Sequence, residues 1–293
     1  MALQIAFDLN ENENQRFLVA VFRTLKGEDL EEGETPLSPI PAAQLNKIGV
    51  CDFYFSVFVL VYPESSLQNI LDGTEVAKLH LDFLFRHNKA DRLLLQKIKS
   101  AVESKNDSVL RNAVVTAHGY MHCGTSIDVF LRDNIQWLRK ANNWAKFTAT
   151  AGQGVIHKGH LEKALDVLQP YLPGTGSGSS PYTEGGALYA LGLIHANRGE
   201  AASGQIITYL KNALNNAMSS NVQGGDQDVQ DMMRIQSQVV QHGACLGLGL
   251  AAMGTANDEI FMLLREVALF DTSTCSDAAA IAMGLLVVGA GLE

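Results

Sequence analysis

The feature that most constrains the fold of this chain is a short glycine pattern that returns five times at long, similar intervals. The first residues of successive copies lie about 35 to 57 positions apart, a spacing found in proteins built from stacked repeat units. A unit of this size cannot bury its apolar face alone, so the units are expected to pack against one another in chain order. The copies read GYMHCG (119–124), GVIHKG (154–159), GLIHAN (192–197), GLAAMG (249–254) and GLLVVG (284–289).

We call the first glycine of each copy the anchor glycine and the last residue the turn residue. The turn residue is predicted to end a helix, because glycine, and to a lesser degree asparagine, adopts the left-handed conformation that terminates helices. Asn197 is the one turn residue that is not glycine. The predicted structural repeat glycines are Gly119, Gly124, Gly154, Gly159, Gly192, Gly249, Gly254, Gly284 and Gly289.

Small residues also recur two and six positions before each anchor glycine. Because these two positions are four residues apart, they share one face of a helix, and that face allows another helix to approach closely. The segments between the copies carry the apolar stripes of amphipathic helices, so each unit is predicted to be a hairpin of a thin inner helix and a bulkier outer helix. The chain is therefore predicted to be all-α, a curved α-solenoid. The small residues are Ala117, Gly152, Ala190, Gly247 and Ala282 at the first position, and Ala113, Thr148, Gly186, Gly243 and Ala278 at the second.

Composition excludes some classes of partner. The 293 residues carry a net charge of −9, which argues against nucleic acid or an anionic membrane surface as the main partner. No apolar run approaches the length of about 20 residues that a membrane-spanning helix needs. The four cysteines form no CxxC pair and are predicted to be reduced thiols of a cytoplasmic or nuclear protein.

Two parts of the chain are distinguished by their patterns. Residues 1–110 are predicted to be a helical rod segment, and residues 111–293 to hold the repeats. The first part contains an acidic, proline-containing loop at 26–45 and an atypical insert at 46–70, where apolar residues alternate as in a strand. The second part contains a polar insert at 219–237, which accounts for the one long interval between copies.

Histidines offer the one alternative in which the chain is an enzyme. His118 and His122 are four residues apart on one predicted helix, the spacing of zinc ligands. A zinc hydrolase would carry a Glu directly after the first His, whereas this segment reads HGYMH. His122, His157 and His195 occupy the same repeat position, which favours a structural role at the helix ends.

Glycine strings do not form a nucleotide site. LGLGLAAMG at 246–254 lacks the GxGxxG spacing, and GTGSGSS at 174–180 lacks the Lys-Ser/Thr of a P-loop. We therefore expect no catalytic, cofactor-binding or metal-binding residue, and no enzyme. A small His-dependent metalloenzyme stays as the alternative from another functional class.

Three long strings resemble the proteasome/cyclosome repeat family. They are NNWAKFTATAGQGVIHKGH (142–160), EGGALYALGLIHANRGE (184–200) and VVQHGACLGLGLAAMGTA (239–256). This family contains large non-ATPase subunits of the proteasome regulatory particle and the largest subunit of the anaphase-promoting complex. The strings IHKGH and IHANRG favour the proteasome members, and the form of 174–200 is plant- or alga-like.

The resemblance implies a non-catalytic scaffold whose repeats form part of a toroid. Such a subunit supports ubiquitin-dependent protein degradation by organising lid, base and, indirectly, ubiquitin-receptor subunits of the proteasome. The resemblance implies a cytoplasmic and nuclear location. The alternative function within this family is a scaffold of the anaphase-promoting complex. The chain is expected to be a partial one, because its opening ALQIAFDL resembles an internal segment of the family. We expect the uncovered apolar faces of the first and last repeats to cause self-association.

Overall fold

The computed structural model describes residues 2–11, 17–19, 21, 64–105, 107–174, 180–219, 227–270 and 273–289. Within these ranges the regular secondary structure is helical and no residue lies in a strand. Two short 3₁₀ turns, Leu161–Lys163 and Gln169–Tyr171, flank α9. The helices are α1 (Ala2–Glu11), α2 (Glu64–Leu71), α3 (Thr74–His87), α4 (Arg92–Glu103), α5 (Ser108–Met121), α6 (Val129–Asp133), α7 (Ile135–Leu138), α8 (Trp144–Ile156), α9 (Ala164–Leu168), α10 (Pro181–Ile194), α11 (Gly199–Ser219), α12 (Gln227–Ala251), α13 (Asp258–Phe270) and α14 (Ser273–Leu286).

The five copies of the glycine pattern fall at the ends of five helices that stack in chain order. These inner helices are α5, α8, α10, α12 and α14, and each packs against the next. The helices α9, α11 and α13 form the outer layer, each packed on the inner helix that follows it. The prediction of an all-α solenoid is thereby confirmed. Its core contains fully buried leucines from both layers, including Leu188, Leu191, Leu210, Leu248 and Leu264.

A second core holds the first repeat together. Side chains of α4 and α5 meet Phe130 of α6, Trp137 of α7 and Ile156 of α8 in one buried cluster. Aspartates cap the starts of α4 and α5, since the side chain of Asp91 accepts a hydrogen bond from Leu93 N and that of Asp107 accepts one from Val109 N. The predicted boundary between residues 110 and 111 falls within α5, which packs against α4. The division of the chain into two parts at this point stays a prediction.

The N-terminal segment forms a small cluster of its own. Ala6 of α1 packs with Leu67 and Ile70 of α2, and Asn10 Nδ2 donates a hydrogen bond to Leu71 O. The predicted acidic loop at 26–45 and residues 46–63 of the atypical insert lie outside the described residues. The rest of that insert is helical, since it forms α2.

The polar insert at 219–237 also becomes helical where the structure describes it. Its second half is the start of α12, which begins at Gln227 and continues without a break into the inner helix. Ser237 Oγ and Gln241 Nε2 both donate hydrogen bonds to Ala217 O near the end of α11. The insert therefore lengthens an inner helix and fastens it to the outer helix before it.

None of the helices in the described ranges combines the length and the apolar character needed to cross a membrane.

Candidate functional site: the inner helices and their turns

The anchor glycines lie where neighbouring inner helices approach most closely. A Cβ atom added to Gly192 would lie 2.4 Å from the Cα and carbonyl oxygen of Gly247 in the next inner helix. Carbon atoms in ordinary contact are about 3.5 to 4 Å apart, so no side chain fits at this point. The same pairing, between an anchor glycine and the residue two positions before the next anchor, joins Gly154 to Ala190 and Gly249 to Ala282, each at 2.6 Å.

The close approach extends toward the first turns of the inner helices. A Cβ atom on Gly243 would lie 2.0 Å from the carbonyl oxygen of Gly185, and one on Gly186 would lie 2.5 Å from that of Phe147. These contacts involve the second set of small residues, six positions before the anchor. The inner helices of the central repeats therefore touch backbone to backbone over two helical turns.

The first and last anchor glycines are different. A Cβ atom on Gly119 would lie at an ordinary 3.8 Å from Gly152 O, and one on Gly284 would meet nothing within 4 Å. Gly119, Gly154, Gly192 and Gly249 are buried, whereas Gly284 is exposed. The exposure of Gly284 follows from its position, since α14 is the last helix of the described stack.

All five turn residues adopt the left-handed conformation. Their φ values lie between +57° at Asn197 and +84° at Gly159. Each of the first four also bonds to the next repeat, because its N–H donates to a carbonyl at the end of the next inner helix. These bonds give the carbonyls at the helix ends a partner in the neighbouring repeat and so fasten each repeat to the next. The bonds run from Gly124 N to Val155 O (3.0 Å), Gly159 N to Ile194 O (3.1 Å), Asn197 N to Leu250 O (3.2 Å) and Gly254 N to Leu285 O (3.1 Å).

Helix α3 lies over the first two turns, a contact that the sequence did not reveal. The turn glycines leave room for its leucines, since a Cβ atom on Gly124 would lie 2.9 Å from Leu84 Cδ1 and one on Gly159 would lie 3.5 Å from Leu81 Cδ2. The segment before α3 is held at the third turn, where Arg198 Nη1 donates to the carbonyl oxygen of Gly73. The leucine spacing on α3 is the one signal that could have indicated this contact.

A cleft of about 640 Å³ remains between the N-terminal helices and the turns. Its wall includes the residue that follows the anchor glycine in four successive repeats: Tyr120, Val155, Leu193 and Leu250. The cleft therefore follows the repeat of the solenoid, with apolar side chains at regular intervals.

Replacing Gly159 by alanine is expected to lower the free energy of unfolding by about 1 to 2 kcal/mol, because a Cβ atom disfavours positive φ. Gly159→Asn should cost less, since Asn197 already occupies this repeat position. Urea unfolding measures both variants. The matched control is Gly152→Ala on α8, the inner helix that ends before Gly159, where the added methyl group meets nothing within 4 Å. Equal losses for Gly159→Ala and Gly159→Asn would contradict the role assigned to φ.

The two histidines of the metalloenzyme alternative lie in contact within the first repeat. His118 is fully buried, with its ring centroid 4.7 Å from that of His122 and 5.1 Å from that of Phe130. Neither ring nitrogen of His118 has a hydrogen-bond partner. Burial lowers the pKa of His118 to about 4; His122 adds to the effect and Asp128 opposes it. The environment therefore favours a neutral imidazole.

The repeated histidines stand directly after the last residue of an inner helix. His122, His157 and His195 are the C-cap residues of α5, α8 and α10. His195 Nδ1 lies 3.0 Å from Ser203 Oγ, and burial lowers the pKa of His195 to about 4, with Arg198 adding to the effect. Across the described ranges, no three His, Cys, Asp or Glu side chains are grouped so that they could hold a metal ion. Nothing in this arrangement favours the metalloenzyme alternative.

The glycine string at 246–254 lies in α12 and the turn that follows it. Two of its glycines, Gly247 and Gly249, are occupied by contacts with α10 and α14. These two glycines therefore pack against neighbouring helices. A nucleotide would need the backbone at these positions to be open.

Comparison with known proteins identifies the repeat family to which the helix hairpins belong. The family model described as the proteasome/cyclosome repeat matches residues 148–180 and 243–276. The chain is 43% identical to the 26S proteasome non-ATPase regulatory subunit 1 homolog A of Arabidopsis thaliana over 310 aligned residues, which cover 100% of the chain. The chain belongs to the proteasome/cyclosome repeat family. The matches of the family model include parts of the inner helices α8, α12 and α14 and all of the outer helices α9 and α13.

Further relatives of this proteasome/cyclosome repeat chain come from other kingdoms. It is 37% identical to the 26S proteasome non-ATPase regulatory subunit 1 of Drosophila melanogaster over 99% of its length. It is 35% identical to the 26S proteasome regulatory subunit rpn2 of Schizosaccharomyces pombe over 98% of its length. The chain spans 26% to 29% of the length of these three relatives.

Proposed function

We propose that this chain is a non-catalytic scaffold segment of a proteasome regulatory-particle subunit. The observation that carries the proposal is the similarity, over the whole chain, to proteins named as 26S proteasome regulatory subunits. A scaffold needs a stiff framework that holds surfaces at fixed separations. The backbone contacts between Gly192 and Gly247 and the hydrogen bonds between successive turns supply such a framework.

The partners of such a scaffold are other subunits of the regulatory particle, in its lid and base, and indirectly the ubiquitin receptors. Its place of action is the cytoplasm and the nucleus, where these particles degrade ubiquitin-labelled proteins. The relatives named above are proteasome subunits, which favours the proteasome over the anaphase-promoting complex as the assembly. A structural role is supported by close packing at three of the nine repeat glycines, Gly154, Gly192 and Gly249. It is supported by positive φ at four more, Gly124, Gly159, Gly254 and Gly289. For Gly119 and Gly284 the proposed role rests on their repeat position.

Affinity purification of the tagged 293-residue chain from Arabidopsis cells tests the proposal. Mass spectrometry should find regulatory-particle subunits, and the eluate should cleave a fluorogenic proteasome peptide. Recovery of anaphase-promoting complex subunits instead, or of chaperones alone, would overturn the proposal.

Two glycine variants test whether recovery of the subunits depends on the folded stack of inner helices. Gly192→Leu is expected to abolish recovery of the subunits, because its side chain would overlap the backbone of Gly247. Gly152→Ala, which adds a methyl group in open space, is expected to recover them like the unchanged chain. Equal recovery with both variants would show that the partners bind a part of the chain that does not depend on the stacked helices.

A further inference from the structure

Positive charge is concentrated in the segment 91–146, which we call the basic segment. It runs from the cap of α4 into the first turn of α8 and contains nine Lys and Arg against five Asp and Glu. The rest of the chain contains 13 Lys and Arg against 26 Asp and Glu. The chain as a whole is acidic, so the basic segment is the part that attracts a negatively charged partner.

Much of this positive charge is not neutralised within the chain. Lys140 lies 3.8 Å from Glu103, but its side chain is 56% exposed, and an ion pair so open to water contributes little. Four further cations of the basic segment form no ion pair with any residue in the described ranges: Lys97, Lys105, Arg139 and Lys146. Their charges are therefore available to another molecule.

A cavity of about 580 Å³ opens within the basic segment, between the first turns of α5 and α8. Two cations, Arg111 and Lys140, line it, and none of the described residues in its wall is acidic. Ser108, Asn112 and Asn142 add polar groups to the wall. The volume lies in the range of ligand sites, and the wall offers both charge and hydrogen bonds.

The cation at the base of this cavity is held in place by the fold. Arg111 is only 8% exposed, and its Nη1 donates a hydrogen bond to Lys140 O at 3.2 Å. The guanidinium is therefore already ordered, so a bound carboxylate would not have to immobilise a free side chain.

Two acids adjoin the cavity, and both are already engaged. Asp107 caps α5, where its Oδ1 accepts hydrogen bonds from Val109 N and Leu110 N. Glu103 lies 3.5 Å from Lys99 Nζ in addition to its contact with Lys140. These acids reduce the positive charge around the cavity but do not line it.

We propose that this cavity binds a short acidic peptide segment of another protein. Carboxylates of the peptide pair with Arg111 and Lys140, and its backbone groups bond to the polar side chains of the wall. A long nucleic acid is disfavoured, because it would extend beyond the basic segment toward the acidic remainder of the chain. The inference rests on the proposed scaffold function, for which it names the chemistry of one partner.

Fluorescence anisotropy of a labelled oligoglutamate peptide, titrated with the purified 293-residue chain, tests the proposal. We expect a dissociation constant on the order of 10 μM, weakened when the salt concentration is raised from about 0.05 M to about 0.5 M. A labelled oligolysine peptide should not bind. Absence of oligoglutamate binding up to about 100 μM chain would overturn the proposal.

Two charge-reversal variants locate the binding. The double variant Lys105→Glu/Lys140→Glu changes two exposed residues at the cavity and should weaken oligoglutamate binding by about 10-fold or more. The control Lys158→Glu/Lys163→Glu makes the same change in net charge at exposed residues outside the basic segment and should bind like the unchanged chain. Equal weakening in both variants would show that overall charge, not the cavity, attracts the peptide.

Two further outcomes keep this inference separate from the proposed function. Single-stranded DNA of matched charge that binds as tightly as oligoglutamate would overturn the choice of a peptide. Recovery of regulatory-particle subunits without oligoglutamate binding would refute the peptide site and leave the scaffold function standing. Oligoglutamate binding that depends on Lys105 and Lys140, without recovery of those subunits, would refute the scaffold function alone.

Discussion

Replacing Gly192 by alanine is expected to lower the free energy of unfolding by about 3 kcal/mol or more, at the upper end of the losses caused by overpacking. The added methyl carbon would lie 2.4 Å from both the Cα and the carbonyl oxygen of Gly247. Backbone atoms cannot change rotamer to make room, so α10 and α12 would have to separate. Separation would also disturb the buried leucines on both helices, Leu188, Leu191 and Leu248.

Gly284→Ala is the matched control for Gly192→Ala. Gly284 occupies the same repeat position, also lies within a helix, and its added methyl group meets nothing within 4 Å. Alanine has a higher helix propensity than glycine, so this variant is expected to gain up to about 1 kcal/mol. Urea unfolding followed by circular dichroism, at a concentration where the chain is monomeric, measures both. Similar effects of the two substitutions would show that helix propensity, not backbone contact, determines the cost at Gly192.

Acidification between pH 6.5 and pH 4 is expected to remove about 3 kcal/mol of stability for each of the two most buried histidines. His118 and His195 have pKa values near 4 in the folded chain, against 6.5 as the ordinary value. The unfolded chain therefore takes up these protons first as the pH falls. The contribution is fully present above pH 6.5, declines as protons bind the unfolded state, and stops declining below pH 4, where both states are protonated.

The variant His118→Leu isolates one of these two contributions. The difference in unfolding free energy between about pH 7.5 and pH 4.5 should be smaller than in the unchanged chain by about 2 to 3 kcal/mol. Trp137→Phe is the control, because Trp137 lies in the same buried cluster, packs on Phe130 and carries no titrating group. It should lower stability by a similar amount at both pH values. An unchanged pH dependence in His118→Leu would contradict the neutral, buried state of this imidazole.

Local and periodic features of the fold were predictable from the sequence. The stacked inner helices follow from small residues at the same two positions before each anchor glycine, as at Ala190 and Gly247. The turn positions follow from the residue types that tolerate positive φ, which include Asn197 as well as glycine. These predictions succeed because helix faces and helix ends depend on residues only a few positions apart.

Other features could not be predicted in this way. The contact of Leu81 on α3 with the turn at Gly159 joins segments about 80 residues apart, and no repeat relates them. The hydrogen bonds from each turn to the next repeat depend on the offset between helices, which spacing along the chain does not give. The polar insert at 219–237 was predicted only as extra sequence between two repeats. In the structure its second half continues into the inner helix α12, which is fastened to α11 by hydrogen bonds to Ala217 O.

The sequence by itself determined the repeat, the two layers of helices, the small-residue faces and the turn positions, because all of these are encoded in residue types at short, regular spacings. The tertiary structure decided which of the equivalent glycines are indispensable, since Gly192 and Gly284 are identical in pattern and differ only in whether another helix lies against them. It also decided the protonation of His118, because burial of the imidazole, with Phe130 of α6 stacked on its ring, lowers its pKa. The physical reason is the same in both cases: close packing and desolvation depend on which atoms surround a residue, and distant parts of the chain supply those atoms.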